Sequence, residues 1–446
     1  MKNEITMSNQ QKITSFLLNL EIKELNPLQQ AVLDCYDSYT DFVILSPTGS
    51  GKTLSFLLPL VLDLDPALKG IQTLIIAPTR ELALQIESVV KTMKTGFKTN
   101  CVYGGHKIWI ERNDLSVQPS LLIGTPGRIV DHIEHNRLNL KHVKNVVLDE
   151  FDKTLEFGFE KDIQFILNQL PKNKKQLFTS ATQAIEFPNF IQFNKKHEIN
   201  FLESTTLEKR LQFKKVVIED RDKLVDLKQL LYDLGNEPTL VFCNHREPVE
   251  RISYMLKKEG IVHDIFHGGL DQKERERTLI KYRNKSCNLL ITTDLAARGI
   301  DISMIQNIIH YHLPVSEDAF IHRNGRTARV NETGTIFLLL NPDDTLPEYI
   351  KENITLYHPA KNIEFITNPH FETLYIGKGK KDKVNKGDIL GFLSHQTDLD
   401  KNDIGQIDVR DYFSYVAITR SKMKNTLKQI RNKKIKNKKA KFDVAK

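Results

Sequence analysis

Short, wholly apolar runs recur along the chain, each closing on polar or glycine-containing sequence. They fall in two series. Phe42–Leu45, Leu74–Ala77, Leu121–Ile123, Val146–Leu148 and Leu177–Phe178 make the first. Leu240–Cys243, Leu289–Ile291, Ile308–Ile309 and Ile336–Leu340 make the second. Continuous hydrophobicity is what strands buried on both faces require, as in a parallel sheet covered by helices. Between the runs lie segments with helical spacing, namely Glu81–Met93, Phe159–Leu170, Lys223–Leu234 and Arg246–Lys258. Alternating strand and helix predicts α/β domains. The series break at the polar stretch Ser204–Arg210, and Pro342, Pro347, Pro359 and Pro369 mark a second boundary. The pattern thus predicts α/β lobes over 1–204 and 211–345, a linker over 346–371 and a small α+β module over 372–446.

Composition changes that picture mainly through where the charge lies. The 446 residues fit about three domains. At 40% apolar and 27% charged residues, global disorder is excluded. The net charge is +8, yet Arg420–Lys446 alone carries 12 basic residues against one acid, which leaves residues 1–419 at −3. A near-neutral body with a strongly cationic end is implied. No apolar run approaches the roughly 18–20 residues of a membrane helix. The first twenty residues lack the charged segment and apolar stretch of a secretory signal. Cys35, Cys101, Cys243 and Cys287 form no C-x-x-C pair, so reduced thiols of a cytoplasmic protein are expected, with no disulfide scaffold or zinc site.

Candidate chemistry begins at Asp41–Thr53, which reads as strand, Gly-rich loop and helix start. Gly49 and Gly51 let backbone N–H groups turn toward phosphate oxygens beside a helix N-terminus. The loop Ser46, Pro47, Thr48, Gly49, Ser50, Gly51 would cradle the phosphates, with Lys52 reaching the β/γ-phosphates and Thr53 ligating Mg²⁺. The first loop position is Ser46 where the strict pattern has glycine. A strand ending in Asp149-Glu150-Phe151-Asp152 puts carboxylates at a sheet edge, where Asp149 could hold Mg²⁺ and Glu150 could activate water. Alone, such acids also read as a solvated turn. His322–Arg329 supplies Arg326 and Arg329, whose guanidinium groups could stabilise charge on a transferring phosphoryl group or simply pair with surface acids.

With these residues in hand the chain resembles the DEAD-box RNA helicases, superfamily-two ATPases with two RecA-like lobes, collinearly over roughly residues 12–345. The matching words are Asn26–Gln29, Ser46–Thr53, Pro78–Leu82, Gly104-Gly105, Thr125–Arg128, Asp149–Asp152, Ser180–Thr182, Val241–Asn244, His267–Gly269, Thr293–Asp301 and His322–Arg329. The resemblance implies ATP and Mg²⁺ as cofactors, adenine reading by Gln29, and ribose contact by Asp301. Arg80, Gly105, Thr125, Arg128, Arg275 and Thr293 would line the RNA track. Asp152, Ser180, Thr182 and His322 would couple hydrolysis to RNA. Two departures stand out. Phe151 occupies a position where the family has alanine, and the segment before Gln29 lacks the usual Gly-Phe pair, its upstream aromatic being assigned to Phe16.

The C-terminal module has a basic Gly-rich loop with Lys380, Lys381 and Lys383, an aromatic stretch at Tyr412–Tyr415 and a polycationic end. Cationic grooves with aromatic platforms capture RNA, although alternation makes about half of such aromatics core. The segment resembles the RRM-like RNA-binding domain of the bacterial DbpA subfamily, with Asn437 in place of an expected glycine. That resemblance implies structured, ribosomal RNA and pre-ribosomal particles as partners, with the domain tethering the helicase to its RNA; no membrane partner and a monomer are expected. Competing readings are a non-catalytic RNA-binding clamp, with turnover lost to Phe151, and a DNA helicase.

Overall fold

The computed structural model describes residues 8–47, 49–105, 108–182, 187–202, 211–218, 222–295, 305–327, 333–350, 353–360 and 368–445. The chain divides into two compact units. The first is built on a parallel sheet of β1 Asp41–Leu45, β2 Thr73–Ile76, β3 Thr99–Val102, β4 Leu121–Gly124, β5 Asn145–Leu148, β6 Lys175–Ser180 and β7 Lys196–Asn200. Their spatial order is β3-β4-β2-β5-β6-β1-β7. Successive residues of a strand point to opposite faces. Phe42, Ile44, Ile75, Val147 and Leu177 therefore fill one core, while Val43, Leu45, Leu74, Leu148 and Phe178 fill the other. Both faces are covered, which is why the runs read as continuous.

Parallel pairing also sets the position of the candidate residues. Leu45 lies opposite Ser180, Leu148 opposite Phe178, and Ile76 opposite both Leu148 and Gly124. The residues that follow β1, β6, β5, β2 and β4 thus emerge along one edge, the edge where ligands of open α/β sheets sit. Phe16, assigned as the upstream aromatic, is a buried member of the first core with Leu28 and Val32.

The second unit holds a parallel sheet of β8 Leu211–Val217, β9 Thr239–Phe242, β10 Asp264–Phe266, β11 Leu289–Thr292, β12 Asn307–His310, β13 Gly334–Leu340 and β14 Ile354–Leu356, in the order β10-β11-β9-β12-β13-β8-β14. It also holds an antiparallel sheet, ordered β16-β17-β15-β20, from β15 Phe371–Ile376, β16 Ile404–Val409, β17 Ser414–Thr419 and β20 Phe442–Val444. Helices Lys386–Gln396 and Arg420–Ile430 join these strands in βαββαβ sequence, and their Ile389, Leu393, Met423 and Ile430 pack on Leu374, Ile376, Val416 and Ile418. This is the RRM-like arrangement the resemblance implies. Before β20 comes a short hairpin, β18 Lys434–Ile435 with β19 Lys438–Lys439. Its turn residues Lys436 and Asn437 both have positive φ, 48° and 63°. Primed two-residue turns demand that conformation and asparagine tolerates it, so Asn437 serves where glycine was expected.

The cationic end is therefore folded rather than trailing. It supplies a helix, a hairpin and an edge strand, and several of its charges are paired within the domain. Lys436 meets Asp388 at 2.8 Å and Lys422 meets Asp403 at 2.5 Å.

The module is also joined to the second lobe. Tyr415 and Ala445, on the sheet face opposite the helices, pack against Ile280 of the helix Gln272–Arg283. Asn284 Nδ2 donates to Thr373 Oγ1 at 3.0 Å, and Thr373 Oγ1 donates to Ser286 Oγ at 2.9 Å. Arg420 donates to the carbonyls of Ser286 and Phe371 at 3.1 and 2.8 Å. The module is thus bonded to the second lobe through side chains as well as through the chain. Deleting residues 371–446 would bare Ile280, Asn284 and Ser286. Re-exposing a buried aliphatic side chain costs about 1.5–3 kcal/mol. The shortened chain is expected to melt several degrees lower and to self-associate, by calorimetry and light scattering; an unchanged melting profile of the second lobe would show that the joint contributes nothing.

Candidate functional site

The phosphate-type loop lies between β1 and the helix Lys52–Leu62. Gly51 has φ +89°, and a Cβ placed there would fall 2.6 Å from Gln29 Nε2 and 2.9 Å from Asn26 Nδ2. Both its conformation and the close approach of the Asn26–Gln29 segment call for glycine. Asn26 caps the helix Pro27–Cys35, accepting from Gln29 N at 2.9 Å, and donates to Ser50 O at 2.8 Å. Gln29 returns the cap and donates to Gly51 O at 3.4 Å. Gln29 thus braces the loop. Ser46 Oγ and Ser50 Oγ are buried without a hydrogen-bond partner among the described residues. Buried hydroxyls of that kind fit a polar, oxygen-rich ligand. Pro47, Gly49 and Thr53 belong to the same loop and helix start, whereas Thr48 lies outside the described residues.

Register brings the acids alongside. Asp149 is buried, its Oδ1 accepts from Thr179 Oγ1 at 2.5 Å, and the same hydroxyl accepts from the backbone N–H of Glu150 at 3.0 Å. Burial pushes the Asp149 carboxyl above the usual aspartate range, opposed by the Thr179 hydrogen bond and the charge of Lys52. Lys52 Nζ donates to the carbonyl of Ser46 and, at 3.4 Å, to that of Ser180, which also accepts from Ser46 N at 3.0 Å. Ser180 Oγ in turn accepts from Thr182 N at 3.0 Å. Lys52, Asp149, Glu150, Ser180 and Thr182 are therefore gathered at one edge. Asp152 follows on the helix Phe151–Glu156 and lies 3.8 Å from the Lys153 ammonium. Thr179, which links Asp149 to Glu150, was not anticipated; only the β5–β6 register reveals it.

Further along the edge, the Arg80 guanidinium covers the Gly104-Gly105 turn. Gly105 has φ +96°, and a Cβ there would lie 2.3 Å from Arg80 Nη1. Thr125 starts the helix Pro126–Glu134. Arg128 Nε lies 3.1 Å from Glu111 Oε2 and donates to Tyr103 O at 3.2 Å. Glu111 also accepts from Tyr103 N at 2.9 Å and meets His132 Nε2 at 2.7 Å. A buried carboxylate thus organises this part of the candidate RNA track, a role for Glu111 that its sequence context does not signal.

In the second unit, His322 and Arg326 are buried at the end of the helix Glu317–Asn324, and Arg275 and Thr293 are partly exposed. Asp301 and Arg329 lie outside the described residues. The residue missed here is Arg323. Fully buried, it forms a two-pronged pair with Asp294 at 2.5 and 3.1 Å, and donates to Asn244 Oδ1 at 2.8 Å and His312 O at 2.9 Å. Beneath it His310, hydrogen-bonded to Asn324 at 2.9 Å, is pushed down to about 3 by burial and the Arg323 charge. Asp294 adjoins Thr293 and Arg323 adjoins His322, so one ion pair fastens two motif words together.

In the module, Lys380, Lys381 and Lys383 are exposed on one loop. Lys380 N and Lys381 N donate to Arg410 O and Asp411 O, both at 2.8 Å, and a Cβ on Gly379 would lie 2.1 Å from Arg410 O. Lys436 Nζ donates to Lys383 O at 2.7 Å, drawing the hairpin onto the same cationic edge. Tyr412 beside it is exposed, whereas Tyr415 is buried against the second lobe.

A parallel sheet with a phosphate-type loop, followed by a second parallel sheet, is the architecture of two-lobed nucleotide-driven motors. The DEAD/DEAH box helicase family matches residues 26–190, the helicase conserved C-terminal domain residues 222–331, and the DbpA RNA binding domain residues 373–444. The chain is 29% identical over 426 residues to the ATP-dependent RNA helicase DbpA of Escherichia coli, with 93% of each covered. It is 33% identical over 374 residues to the ATP-dependent RNA helicase CshA of Listeria monocytogenes, covering 82% of this chain and 71% of that one. Among solved structures, Mss116p bound to ssRNA and AMP-PNP superposes with a TM-score of 0.68 at 25% identity, covering 81% of this chain and 82% of that one. The chain belongs to the DEAD-box family of ATP-dependent RNA helicases. Its C-terminal module is a DbpA-type RNA-binding domain. Among the described residues no helix is long and apolar enough to cross a membrane.

Proposed function

We propose that the chain couples RNA-stimulated ATP hydrolysis to closure and reopening of its two lobes, opening short structured RNA locally, and that its C-terminal domain directs it to ribosomal RNA during large-subunit assembly. The observation that carries this reading is the edge where Lys52, Asp149 and Glu150 meet, in a chain that also matches the DbpA RNA binding domain. Lys52 and the loop from Ser46 to Thr53 hold the phosphates, and Gln29 and Asp301 contact the base and ribose. Thr53 and the buried Asp149 would hold Mg²⁺ together with the phosphates, since this ion favours one or two protein ligands. When bound, Mg²⁺ neutralises phosphate charge.

Glu150 orients water and accepts its proton, and Arg326 and Arg329 stabilise charge on the transferring group once ATP and RNA close the lobes. Arg80, Gly105, Thr125, Arg128, Arg275 and Thr293 hold the RNA backbone, and Asp152, Ser180, Thr182 and His322 transmit its presence. Lys380, Lys381 and Lys383 contribute the cationic edge that captures structured RNA. The protein works as a cytoplasmic monomer on pre-ribosomal particles.

Phosphate release measured without nucleic acid, with a ribosomal RNA fragment, and with DNA of the same sequence tests this. Low turnover alone and strong stimulation by RNA but not by DNA is the expected result. Equal turnover with and without RNA would overturn the coupling.

A further inference from the structure

Phe151 stands between Glu150 and Asp152, where the family carries alanine. Its ring is fully buried, stacked on Phe187 with centroids 5.4 Å apart and planes at 13°, and edge-on to Phe178 at 5.1 Å. Phe187 also meets Phe178 at 5.3 Å and Phe193 at 5.0 Å, both edge-on. The Lys196 ammonium lies 5.4 Å from the Phe187 centroid and 5.2 Å from that of Phe193. Stacked and edge-on geometries are the favourable ones for aromatic pairs, so the extra volume is housed without a clash.

The rings join segments that matter for hydrolysis. Phe178 immediately precedes Thr179 and Ser180, and Phe187 follows the Ser180–Thr182 turn in sequence. Glu150 has left-handed backbone, φ 48° and ψ 54°, a conformation that a non-glycine residue keeps only when its surroundings impose it. Beside the hydrogen bonds from Lys153 and Thr154 to Glu150 O, two further supports among the described residues bear on this turn. One is the Thr179 hydroxyl under the Glu150 N–H. The other is the ring of Phe151, the next residue, held against Phe187.

We propose that the Phe151–Phe187 stack is a positioning device for Glu150, locking the Asp149–Asp152 turn to the segment that begins at Phe187 so that the two act as one piece. The proposal rests on Glu150 being the group that activates water. Both rings act through the turn.

The experiment measures steady-state RNA-stimulated ATP hydrolysis and melting temperature in the full chain. Its variants are Phe187→Leu, Phe187→Tyr, Phe151→Leu, the double leucine variant, Phe193→Leu and Glu150→Gln. A misplaced catalytic group is costly in rate, so Phe187→Leu is expected to lower kcat by about ten-fold while KM for ATP stays within about two-fold. Phe187→Tyr, which keeps the stacked ring, is expected to retain kcat. The double variant is expected to be no slower than the slower single one, because both changes break the same support. Phe193→Leu loosens the cluster without touching Phe151, and is expected to lower the melting temperature but not kcat. Wild-type kcat in folded Phe187→Leu, or an equal kcat loss in Phe193→Leu, overturns the proposal. If Glu150→Gln itself turns over normally, the reading of Glu150 fails and the stack proposal falls with it. Loss in Glu150→Gln with none in Phe187→Leu rejects the stack alone.

Discussion

Glu150→Gln is expected to stop steady-state ATP hydrolysis while ATP and RNA still bind. The amide has nearly the carboxylate's shape, and the backbone N–H that Glu150 donates to Thr179 at 3.0 Å does not depend on the side chain. What disappears is the capacity to accept a proton. General acid–base contributions of about 10²–10⁴-fold set the expected fall in kcat. Glu150 is buried, so a neutral amide also relieves the cost of holding a carboxylate away from water, and the melting temperature should not drop. Phosphate release together with equilibrium binding of a fluorescent nucleotide and a labelled RNA checks both halves. Turnover near the wild-type rate would place proton acceptance on another group.

Lys52→Ala is expected to fail one step earlier, at nucleotide binding. The ammonium is bonded to the Ser46 and Ser180 carbonyls and acts electrostatically on Asp149. Its removal takes away the cation proposed for the β/γ-phosphates. It also raises the Asp149 carboxyl further, because the remaining dominant influence is burial. Hydrogen bonds to charged groups contribute about 1.5–3 kcal/mol, so ATP affinity should fall by roughly 10–100-fold, with turnover lost in parallel. Titration calorimetry with a non-hydrolysable ATP analogue reads this directly. Tight binding by Lys52→Ala would mean that the loop backbone alone holds the phosphates.

The contrast between these variants depends on features unequally visible in the sequence. Strands buried on both faces, such as Phe42–Leu45 and Ile336–Leu340, announced themselves as apolar runs and lie within β1 and β13. Helices with one apolar stripe were equally legible: Lys223–Leu234 and Arg246–Lys258 match in full. Half-exposed strands such as β3, β7 and β14 were not, because partial burial leaves polar residues in the pattern. Thr179, Glu111 and Arg323 share a different obscurity. Each matters through a partner distant in sequence, namely Asp149, Arg128 and Asp294, and single-sequence periodicity carries no information about such pairings. Phe151 was legible as a departure, but its accommodation required knowing that Phe178 and Phe187 converge on it. The charge count shows only a cationic end. Its lysine density hides the Met423 and Ile430 that fold the run onto the sheet.

The contact between the helix Gln272–Arg283 and the C-terminal sheet bears on how RNA is delivered. A capture domain on a slack linker supplies its ligand at an effective concentration set by linker length, which falls as the linker grows. Here Thr373 and Arg420 are bonded to residues of the second lobe, and Tyr415 is pressed onto Ile280. RNA held by Lys380, Lys381 and Lys383 would therefore keep a fixed bearing to that lobe instead of sampling a sphere around it. The shape of the captured RNA, more than the length of the protein chain, then selects which neighbouring duplex is within reach.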